Sequence, residues 1–315
     1  MPPIRTAFIL GAGLGTRLRP LTLRRPKPLI PVVNRPLIGY AFDHLRGVGI
    51  DRLIVNTHWQ AERYAEFFPD GSYRGAELHF RLEAPEVLET AGGIWNVRDL
   101  LCDEPFIVYN GDIFTDLPLA PALAAHQENG HEVTMVLRSK DGPLQVALDE
   151  ASGRVTDISG RVDPAAGPRF LFTGIYLVSP GFLRRIPPAT KISVVPLFCE
   201  MIRTGARLGG VVIDDGDWWD LGSREQYLDV HAVLAARLPG TMQPPWIDAT
   251  AHLAADARIT GATAIAAGAH IGAGARLHDC IVWENAEVAP GAALTRCIVT
   301  RAARAEGTHT DHDIA

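Results

Sequence analysis

The stretch from Leu10 to Pro31, LGAGLGTRLRPLTLRRPKPLIP, constrains the fold of this chain more than any other. The apolar run over 6–10 before it is typical of a buried strand, which three alternate glycines end abruptly. Glycines let a backbone turn tightly and approach a ligand closely, so that successive N–H groups converge on phosphate oxygens. Arg17 and Lys27 add the positive charges that suit phosphate. The stretch therefore predicts a loop that holds the phosphates of a nucleoside triphosphate.

Two common phosphate motifs do not fit this loop. The Rossmann fingerprint, G-x-G-x-x-G, has its third glycine one residue later, and the P-loop needs a lysine directly after its last glycine. The segment over 10–29 instead resembles the signature of the sugar-1-phosphate nucleotidyltransferases, L-A-A-G-x-G-T-R-L-x-P-L-T followed by K-P-L. It departs from that signature at Gly11, where the family usually has alanine. The resemblance implies catalytic roles for Arg17 and Lys27 and a nucleotide-binding loop made of Gly11, Ala12, Gly13, Gly15, Thr16 and Arg17.

Composition narrows the class of protein. The 315 residues are 47% hydrophobic and 21% charged, which is ordinary for a soluble globular protein, and the length suggests one large and one small domain. The formal net charge of −6, with no basic patch beyond the first loop, argues against a nucleic-acid partner. No apolar run approaches the roughly 18 residues of a membrane span, and the N-terminus has no signal-peptide pattern. We therefore expect a cytoplasmic protein with no membrane partner.

Strands and helices alternate along the chain after the glycine loop. The predicted helices cover 36–48 and 62–68. The predicted strands cover 51–56, 105–110, 132–138 and 169–178, with a hairpin over 145–158. This alternation predicts an α/β fold with a Rossmann-like, mostly parallel sheet and helices on both of its faces. Ligands of such sheets bind beyond the carboxyl ends of the strands, which is where the glycine loop falls.

A second glycine turn lies in the segment 82–97, LEAPEVLETAGGIWNV. Backbone amides at its Thr-Ala-Gly-Gly turn are suited to a flat base edge, and the two glycines leave room for it. The alternative is a plain helix N-terminus with Thr90 as its cap. The resembled family has a similar element, often L-G-T-A-G, which binds base and ribose. The resemblance thus implies nucleotide contacts from Glu83, Thr90 and Gly92.

Asp112 follows the predicted strand over 105–110. A carboxylate there suits Mg²⁺, which needs only one or two protein carboxylates besides substrate phosphates. In the resembled family this Gly-Asp supplies a metal ligand, so Asp112 is the first choice for Mg²⁺ and a catalytic residue. Asp116 is expected to cap the helix that follows it. The resemblance also implies sugar contacts from Asn110 and Gly174, but the Glu-Lys-Pro that many members carry has no counterpart over 159–164, which leaves the sugar open.

The segment 214–231, DDGDWWDLGSREQYLDVH, carries a further motif. It resembles the W-x-D-I-G-T-P-E-x-Y of the same family, in which the aspartate completes the metal site. Asp220 is therefore carried over as the partner of Asp112, with Asp217 as the weaker candidate. Ser223 and Gln226 also match a capping box for the helix that follows.

Apolar residues recur at every sixth position after a proline-rich linker near 238–245. They are Ile247, Leu253, Ile259, Ile265, Ile271 and Leu277 and, after a slip of one residue, Val282, Val288 and Leu294. This period predicts a small parallel β-helix, left-handed by resemblance to known hexapeptide helices. We expect a catalytic domain over 1–240, the β-helix over 246–302 and a frayed polar tail over 303–315.

The four cysteines form no C-x-x-C pair, and we expect reduced, structural thiols. Cys102 and Cys199 stand alone in the predicted catalytic domain. The triplet that begins at Cys280, Cys-Ile-Val, recurs at Cys297. These two cysteines are therefore expected to stack in adjacent coils.

Hexapeptide helices also build acyltransferases, which keeps a rival class of enzyme open. Such enzymes use a catalytic histidine, and His252, His270 and His278 lie in the repeats. A stack of about three coils buries little surface by itself and normally needs a partner. We therefore expect the β-helix to serve homo-oligomerisation or regulation.

The resemblance implies a reaction in which a sugar 1-phosphate attacks the α-phosphorus of an NTP and pyrophosphate leaves. Such a displacement depends on positioning and charge neutralisation, which agrees with the absence of a Ser-His-Asp or Cys-His constellation. The expected substrates are GTP and mannose 1-phosphate. The alternative is UTP with the 1-phosphate of N-acetylmuramate, glucose or N-acetylglucosamine. A catalytically silent regulatory subunit is the alternative of another class.

Overall fold

The computed structural model describes residues 3–101, 103–237 and 243–315. Its helices are α1 Leu21–Arg24, α2 Leu37–Gly47, α3 Glu62–Phe67, α4 Glu89–Asn96, α5 Ala120–Asn129, α6 Val194–Arg203 and α7 Arg224–Arg237. Short 3-10 helices cover Thr16–Leu18, Lys27–Leu29, Arg98–Leu100 and Pro180–Arg185. Every helix in the described ranges is too short or too polar to cross a membrane. Cys102 and the linker residues 238–242 lie outside the described residues.

The strands fall into two series along the chain. The first series is β1 Thr6–Leu10, β2 Pro31–Val32, β3 Arg35–Pro36, β4 Arg52–Thr57, β5 Ser72–Tyr73, β6 Ala76–Leu82, β7 Phe106–Asn110, β8 Ile113–Thr115, β9 Val133–Arg138, β10 Val146–Asp149, β11 Arg154–Ile158, β12 Arg169–Val178, β13 Leu208–Val212 and β14 Trp218–Asp220. The second series is β15 Trp246–Ile247, β16 His252–Leu253, β17 Arg258–Thr260, β18 Ala264–Ile265, β19 His270–Ile271, β20 Arg276–His278, β21 Ile281–Val282, β22 Glu287–Val288, β23 Ala293–Thr295, β24 Ile298–Val299, β25 Arg304–Ala305, β26 Thr308–Thr310 and β27 Asp313–Ile314.

The described chain divides into two compact units. The first comprises the chain up to Gly13 together with Ile38–Trp219, and the second comprises Leu14–Leu37 together with Asp220–Ala315. The boundary after Gly13 cuts the glycine loop and groups its basic part with the repeats. The predicted division, a catalytic domain over 1–240 followed by a separate β-helix, places that part differently and stays a prediction.

A ten-stranded sheet forms the centre of the first unit, in the order β10-β11-β13-β9-β12-β7-β1-β4-β6-β5. It is parallel through β7, β1, β4 and β6, as the alternation of strands and helices predicts. Beyond β7 it is mixed, because β12 runs antiparallel to both β7 and β9 and the predicted hairpin of β10 and β11 joins the far edge. Buried residues of this sheet form one core with α4 and α6.

The register of the parallel strands sets one edge of this sheet. Leu10, the last residue of β1, is level with Asn56 in β4 and with Asn110 at the end of β7. The chain segments that follow β1 and β7 therefore start side by side. The predicted residues Gly11, directly after β1, and Asp112, shortly after β7, therefore lie at this edge.

Parallel strands stacked in three sheets form the repeats of the second unit. The sheets have the orders β15-β18-β21-β24-β27, β16-β19-β22-β25 and β17-β20-β23-β26. Ile265 is level with Ile247 in one neighbouring coil and with Val282 in the other, and the inward apolar residues share one buried core. The six-residue period and the parallel β-helix are confirmed, and the stacking is consistent with a left-handed coil. The one-residue slip falls at the corner between β20 and β21, where Asp279 has φ 52°.

The repeats continue to the end of the chain. The residues over 303–315, which the sequence predicts as a frayed tail, include β26, which pairs with β23, and β27, which pairs with β24. Arg224 at the start of α7 donates from Nε to Asp313 Oδ1 at 2.6 Å. Backbone pairing and this ion pair together hold the last coil in place.

Cys280 and Cys297 lie in adjacent coils, as the repeated triplet predicts. Both are buried, and Ile281 beside the first pairs in register with Ile298 beside the second. Cys199, in α6, is also buried, and all three are free thiols. The described cysteines are thus enclosed in the protein interior, where a structural role is expected.

His231, on α7, supports an unusual turn in the second unit. The hairpin of β2 and β3 turns at Val33 and Asn34, which have φ values of 48° and 59°. The Val33 amide donates to His231 Nε2 at 3.1 Å, so that nitrogen must be unprotonated, and Nδ1 lies 2.9 Å from the Tyr227 carbonyl oxygen. Burial lowers the pKa of His231 to about 4. Neutral imidazole is therefore part of the folded state.

The depressed pKa of His231 predicts acid destabilisation. The unfolded chain takes up a proton near the ordinary value of 6.5 and the folded chain only near 4, so stability is complete above pH 6.5 and falls between these values. We expect this histidine to contribute a loss on the order of 3 kcal/mol across that window. Urea unfolding of wild type and His231→Gln at pH 7.5, 6.0, 5.0 and 4.0 measures this loss. In His231→Gln the unfolding free energy should depend less steeply on pH, by the uptake of one proton. His252→Gln, at an exposed site, is the control and should match wild type. An unchanged slope of unfolding free energy against pH in His231→Gln would contradict the assignment.

Candidate functional site

Gly11 is held inside the first unit and leaves no space for a side chain. Its amide donates to Asn56 Oδ1 at 2.7 Å, and its carbonyl accepts from the buried Tyr64 hydroxyl at 3.0 Å. A Cβ at this position would lie 2.7 Å from the Asn56 carbonyl oxygen and 2.8 Å from a methyl group of Val55. This packing explains why the chain departs here from the alanine of the resembled signature. The open part of the turn is Gly13, which is exposed and where a Cβ would meet no atom within 4 Å.

Glu83 joins the two glycine turns of the first unit. The residue is 1% exposed; its Oε1 accepts from Asn56 Nδ2 and its Oε2 from the Leu88 amide, each at 2.7 Å. Asn56 in turn holds Gly11, so one chain of hydrogen bonds runs from the first turn to the second. Because both carboxylate oxygens are bonded within the protein, the geometry gives Glu83 a positioning role for the two glycine turns.

The second turn is packed against the segment 190–194. The amides of Ala91 and Gly92 both donate to the Ile192 carbonyl, at 2.9 and 3.1 Å, and a Cβ on Gly92 would lie 2.6 Å from the Thr190 carbonyl oxygen. These amides are already bonded, and the space beside Gly92 is filled by backbone, in contrast to the expected opening for a base. Thr90 lies inside α4 and its Oγ1 accepts from the Val194 amide at 2.8 Å, so it caps α6 and not its own helix.

Glu89 stands where the resembled family often has glycine. It is exposed, opens α4 and has φ 61°, a left-handed backbone conformation that costs a non-glycine residue energy. At this turn Glu89 therefore adopts the strained left-handed conformation that a glycine would adopt without strain.

Gly111 places Asp112 beside the end of β1. Its amide donates to the Leu10 carbonyl at 3.0 Å, and a Cβ there would lie 2.7 Å from the same oxygen. Asp112 is half-buried. The two predicted sugar-binding residues also meet: Gly174 has φ 82°, and a Cβ on it would lie 2.6 Å from Asn110 Cγ. The structure thus brings all three residues to the edge where β7 and β1 end.

Asp116 does not cap a helix, so that expectation is wrong. Helix α5 begins at Ala120, and no side chain caps it. Asp116 Oδ1 instead accepts from the Asp217 amide at 2.6 Å, and the Thr115 hydroxyl donates to the Asp217 carbonyl at 2.5 Å. These bonds fasten the segment after β8 to the segment before β14.

The loop that stands in place of the family's Glu-Lys-Pro is organised around Asp157. The amides of Gly160, Val162 and Asp163 donate to its carboxylate at 2.6 to 3.0 Å, and Arg169 Nη1 donates at 2.9 Å. Burial works to raise the pKa of Asp157, but these hydrogen bonds outweigh it and lower the pKa to about 2. The loop is thus closed on its own carboxylate.

Arg17, Lys27 and Asp220 meet in the second unit. Lys27 Nζ lies 3.4 Å from Asp220 Oδ1 and Arg17 Nη2 lies 3.4 Å from Oδ2. The Lys27 residue is only 5% exposed, whereas the Arg17 side chain is mostly exposed. One carboxylate therefore lies between a buried ammonium and an accessible guanidinium, a set suited to phosphate groups and a divalent cation.

Two glycines make room for this cluster. Gly15 has φ 59°, and a Cβ on it would lie 3.1 Å from Lys27 Cβ. A Cβ on Gly222 would lie 2.6 Å from a terminal nitrogen of Arg17. Gly222 stands in the same sequence motif as Asp220, but the motif did not predict that this glycine makes room for Arg17. The sequence also did not predict the role of Asn56 in holding Gly11 and Glu83. A polar residue near the end of a buried strand could have indicated it.

The preference of Mg²⁺ for oxygen ligands decides which side chains could bind it. Across the ranges that the structure describes, no group of three or more His, Cys, Asp or Glu residues is placed to hold an ion. Magnesium needs no such cage, because one or two carboxylates and substrate phosphates complete its shell. Asp112 and Asp220, each half-buried, are carboxylates of the kind that this ion requires.

The three histidines of the repeats have other surroundings. The exposed rings of His252 and His270 stack on each other with centroids 4.6 Å apart. His278 Nδ1 lies 3.0 Å from the Thr260 hydroxyl and Nε2 lies 3.2 Å from Asp279 Oδ2. These contacts occur on exposed surface of the β-helix.

Comparison with known proteins finds one family model and several curated relatives that match most of the chain. The nucleotidyl transferase family profile matches residues 6–237. A mannose-1-phosphate guanylyltransferase of Mycobacterium tuberculosis is 29% identical over 92% of this chain and 83% of its own. A UTP–glucose-1-phosphate uridylyltransferase of Synechocystis is 26% identical over 93% of this chain and 86% of its own. An N-acetylmuramate alpha-1-phosphate uridylyltransferase of Neisseria meningitidis is 30% identical over 73% of this chain and 98% of its own.

The positioning role of Glu83 predicts a stability effect of Glu83→Gln. The new amide group must face either the Asn56 amide or the Leu88 N–H, so two donors would oppose each other in a buried place. We expect a loss of about 1–3 kcal/mol in unfolding free energy, measured by urea denaturation. Glu86→Gln is the matched control, because Glu86 forms an exposed pair with Lys191, and its loss should change stability by less than about 1 kcal/mol. Equal stability of the two variants would contradict the role of Glu83.

Proposed function

The chain belongs to the nucleotidyl transferase family, and from that premise we propose that it condenses a sugar 1-phosphate with an NTP and releases pyrophosphate. The observation that carries this proposal is the meeting of Arg17 and Lys27 with Asp220, which lies 203 and 193 positions further along the sequence. No covalent catalyst is required, since phosphoryl and nucleotidyl displacements depend on positioning and charge.

Solvent exposure suggests which residues of the chain would contact which phosphate of the NTP. The exposed Gly13 and the accessible Arg17 are suited to hold the β- and γ-phosphates, together with the loop residues Gly15 and Thr16. Lys27, whose ammonium is largely enclosed, neutralises charge near the α-phosphate, where burial strengthens its electrostatic effect. A sugar 1-phosphate oxygen attacks the α-phosphorus, the bond to the β-phosphate oxygen breaks in line, and pyrophosphate leaves.

Magnesium is the metal that we propose. Asp112 and Asp220 are its protein ligands, on the grounds of the resemblance and of their oxygen chemistry. When bound, the ion neutralises phosphate charge and polarises the phosphorus that is attacked.

The substrates that we propose are GTP and mannose 1-phosphate. The guanylyltransferase relative aligns over 92% of the chain, and at 29% identity it is slightly more similar than the glucose-1-phosphate relative, which is 26% identical over 93% of the chain. Asn110 and Gly174 are the proposed sugar contacts, and Glu83, Thr90 and Gly92 position the nucleotide turn. UTP with an N-acetylmuramate, glucose or N-acetylglucosamine 1-phosphate is the second candidate, favoured by the uridylyltransferase relatives.

The setting of the enzyme is part of the same proposal. We place it in the cytoplasm, as a homo-oligomer joined through the β-helix, with neither nucleic acid nor membrane as a partner. A silent regulatory subunit is disfavoured because the chain retains Arg17, Lys27, Asp112 and Asp220. An acyltransferase is disfavoured because the family match covers residues 6–237 and supplies a different chemistry.

Pyrophosphate release tests the function. Purified protein with Mg²⁺ is assayed with each of four NTPs against the 1-phosphates of mannose, glucose, N-acetylglucosamine and N-acetylmuramate. We expect GTP with mannose 1-phosphate to give the highest kcat/KM. A higher value for UTP with another sugar would overturn the substrate assignment, and acyl-CoA turnover without pyrophosphate release would overturn the reaction class.

Asp112→Asn should abolish turnover while the protein stays folded. The substitution removes the charge that Mg²⁺ requires, so we expect kcat to fall by at least about 100-fold. Activity is measured over a Mg²⁺ titration, and thermal unfolding checks the fold. Asp70→Asn, at an exposed position, is the control and should retain wild-type kcat. Full activity in Asp112→Asn would remove Asp112 from the metal site.

A further inference from the structure

We propose that the β-helix positions the basic part of the glycine loop for catalysis, and that Glu284 is the positioning residue which does so through Arg25. This inference rests on the proposed function and assigns the repeats a part in the reaction beyond oligomerisation. Its basis lies wholly within the second unit, which groups Leu14–Leu37 with the repeats.

The first contact is an ion pair between the buried Arg25 and Glu284, whose side chain is 24% exposed. Arg25 stands two residues before Lys27 and is 4% exposed. Its Nη1 donates to Glu284 Oε1 at 3.1 Å and its Nη2 to Oε2 at 2.8 Å. This two-bond geometry fixes the orientation of the guanidinium as well as its distance. Glu284 follows β21, so the partner that fixes the loop belongs to a coil of the β-helix.

An aromatic pair extends the contact to the other side of Lys27. The Arg25 guanidinium carbon lies 5.0 Å from the ring centroid of Trp283, which is fully buried. Trp283 Nε1 donates to the Tyr227 hydroxyl at 3.2 Å, and that hydroxyl donates to the Pro31 carbonyl at 2.5 Å. The segment is therefore held both before and after Lys27.

A third contact holds the end of the same segment. Asn34 Nδ2 donates to the carbonyl oxygens of Trp246 and Ile265, at 3.1 and 2.8 Å, in the first coils. Lys27 thus lies between anchors that all involve the repeats or α7. Since its ammonium is enclosed and meets Asp220 at 3.4 Å, a shift of the anchors moves a charge that the reaction needs.

The charge state of Glu284 agrees with this role. Burial works to raise its pKa, but the hydrogen bonds and the charge of Arg25 outweigh burial, so the pKa lies below its ordinary value. The carboxylate stays ionised at neutral pH and Arg25 stays paired. A largely buried ion pair of this kind contributes little net stability, whereas its two hydrogen bonds define the orientation of the guanidinium.

The test compares Glu284→Gln with Glu287→Gln. Glu287 lies in the same repeats and forms an exposed pair with Arg304, so its variant should match wild type in every readout. In Glu284→Gln we expect kcat to fall by about 10- to 100-fold, because displacing a catalytic group by about 1 Å has effects of that order. The KM for the sugar 1-phosphate should stay near the wild-type value. Glu284→Asp, which keeps the charge, should recover part of the lost kcat.

Hydrogen exchange gives a readout that does not depend on activity. In Glu284→Gln, peptides covering 14–30 should exchange faster than in wild type, while peptides of the first unit should not change. Native mass should be the same for both, which separates positioning from assembly. Wild-type kcat together with wild-type exchange in Glu284→Gln would overturn the proposal.

A double variant keeps the test decisive if Glu284→Gln folds poorly. Arg25→Met with Glu284→Gln removes both charges and leaves no unpaired buried ion. We expect it to fold and still to show reduced kcat and faster exchange over 14–30; wild-type values for both would overturn the proposal. If wild type releases no pyrophosphate from any substrate pair, the proposed reaction fails, yet the exchange result still decides whether Glu284 holds the loop.

Discussion

The pairing of β1 with β4 and β7 is the constraint on which the first unit depends. Parallel register places Leu10 level with Asn56 and Asn110, so the turns that follow β1 and β7 begin side by side. Gly11 and Gly111 then allow backbone to approach backbone where a side chain would collide. From this edge the hydrogen bonds of Asn56 reach Glu83, which holds the second turn. A single alignment of strands thus orders residues from four separate segments.

The second unit solves a different physical problem, which is to hold positive charges close together in a largely enclosed place. Lys27 has Asp220 and Arg25 has Glu284 as a carboxylate partner. Desolvation of such ions is costly, and each pair offsets it only in a narrow range of geometry. The rigid coils of the β-helix suit this task, because their backbone hydrogen bonds fix where each side chain starts.

Periodicity and capping chemistry made much of the fold predictable. The capping box was predicted correctly, since the Gln226 amide donates to Ser223 Oγ and Gln226 Oε1 accepts from the Ser223 amide. The hairpin, the central strands and the six-residue repeat were correct for a similar reason, because local spacing alone decides which face is buried. The misjudged positions are those where a short polar side chain or glycine has several uses. Thr90 caps a helix about a hundred residues away, and Asp116 bonds to the backbone of Asp217.

The sequence by itself determined the glycine turn after β1, the alternation of strands and helices, and the β-helix, because these follow from residue spacing. Tertiary structure alone decided which residues meet. Lys27 and Asp220 are 193 positions apart and Arg25 and Glu284 are 259 apart, and no local pattern relates them. Tertiary structure also decided that backbone atoms occupy the space beside Gly92 and that the last residues form a coil of the β-helix. Contacts between distant segments depend on how whole elements pack, and spacing along the chain carries no information about that packing.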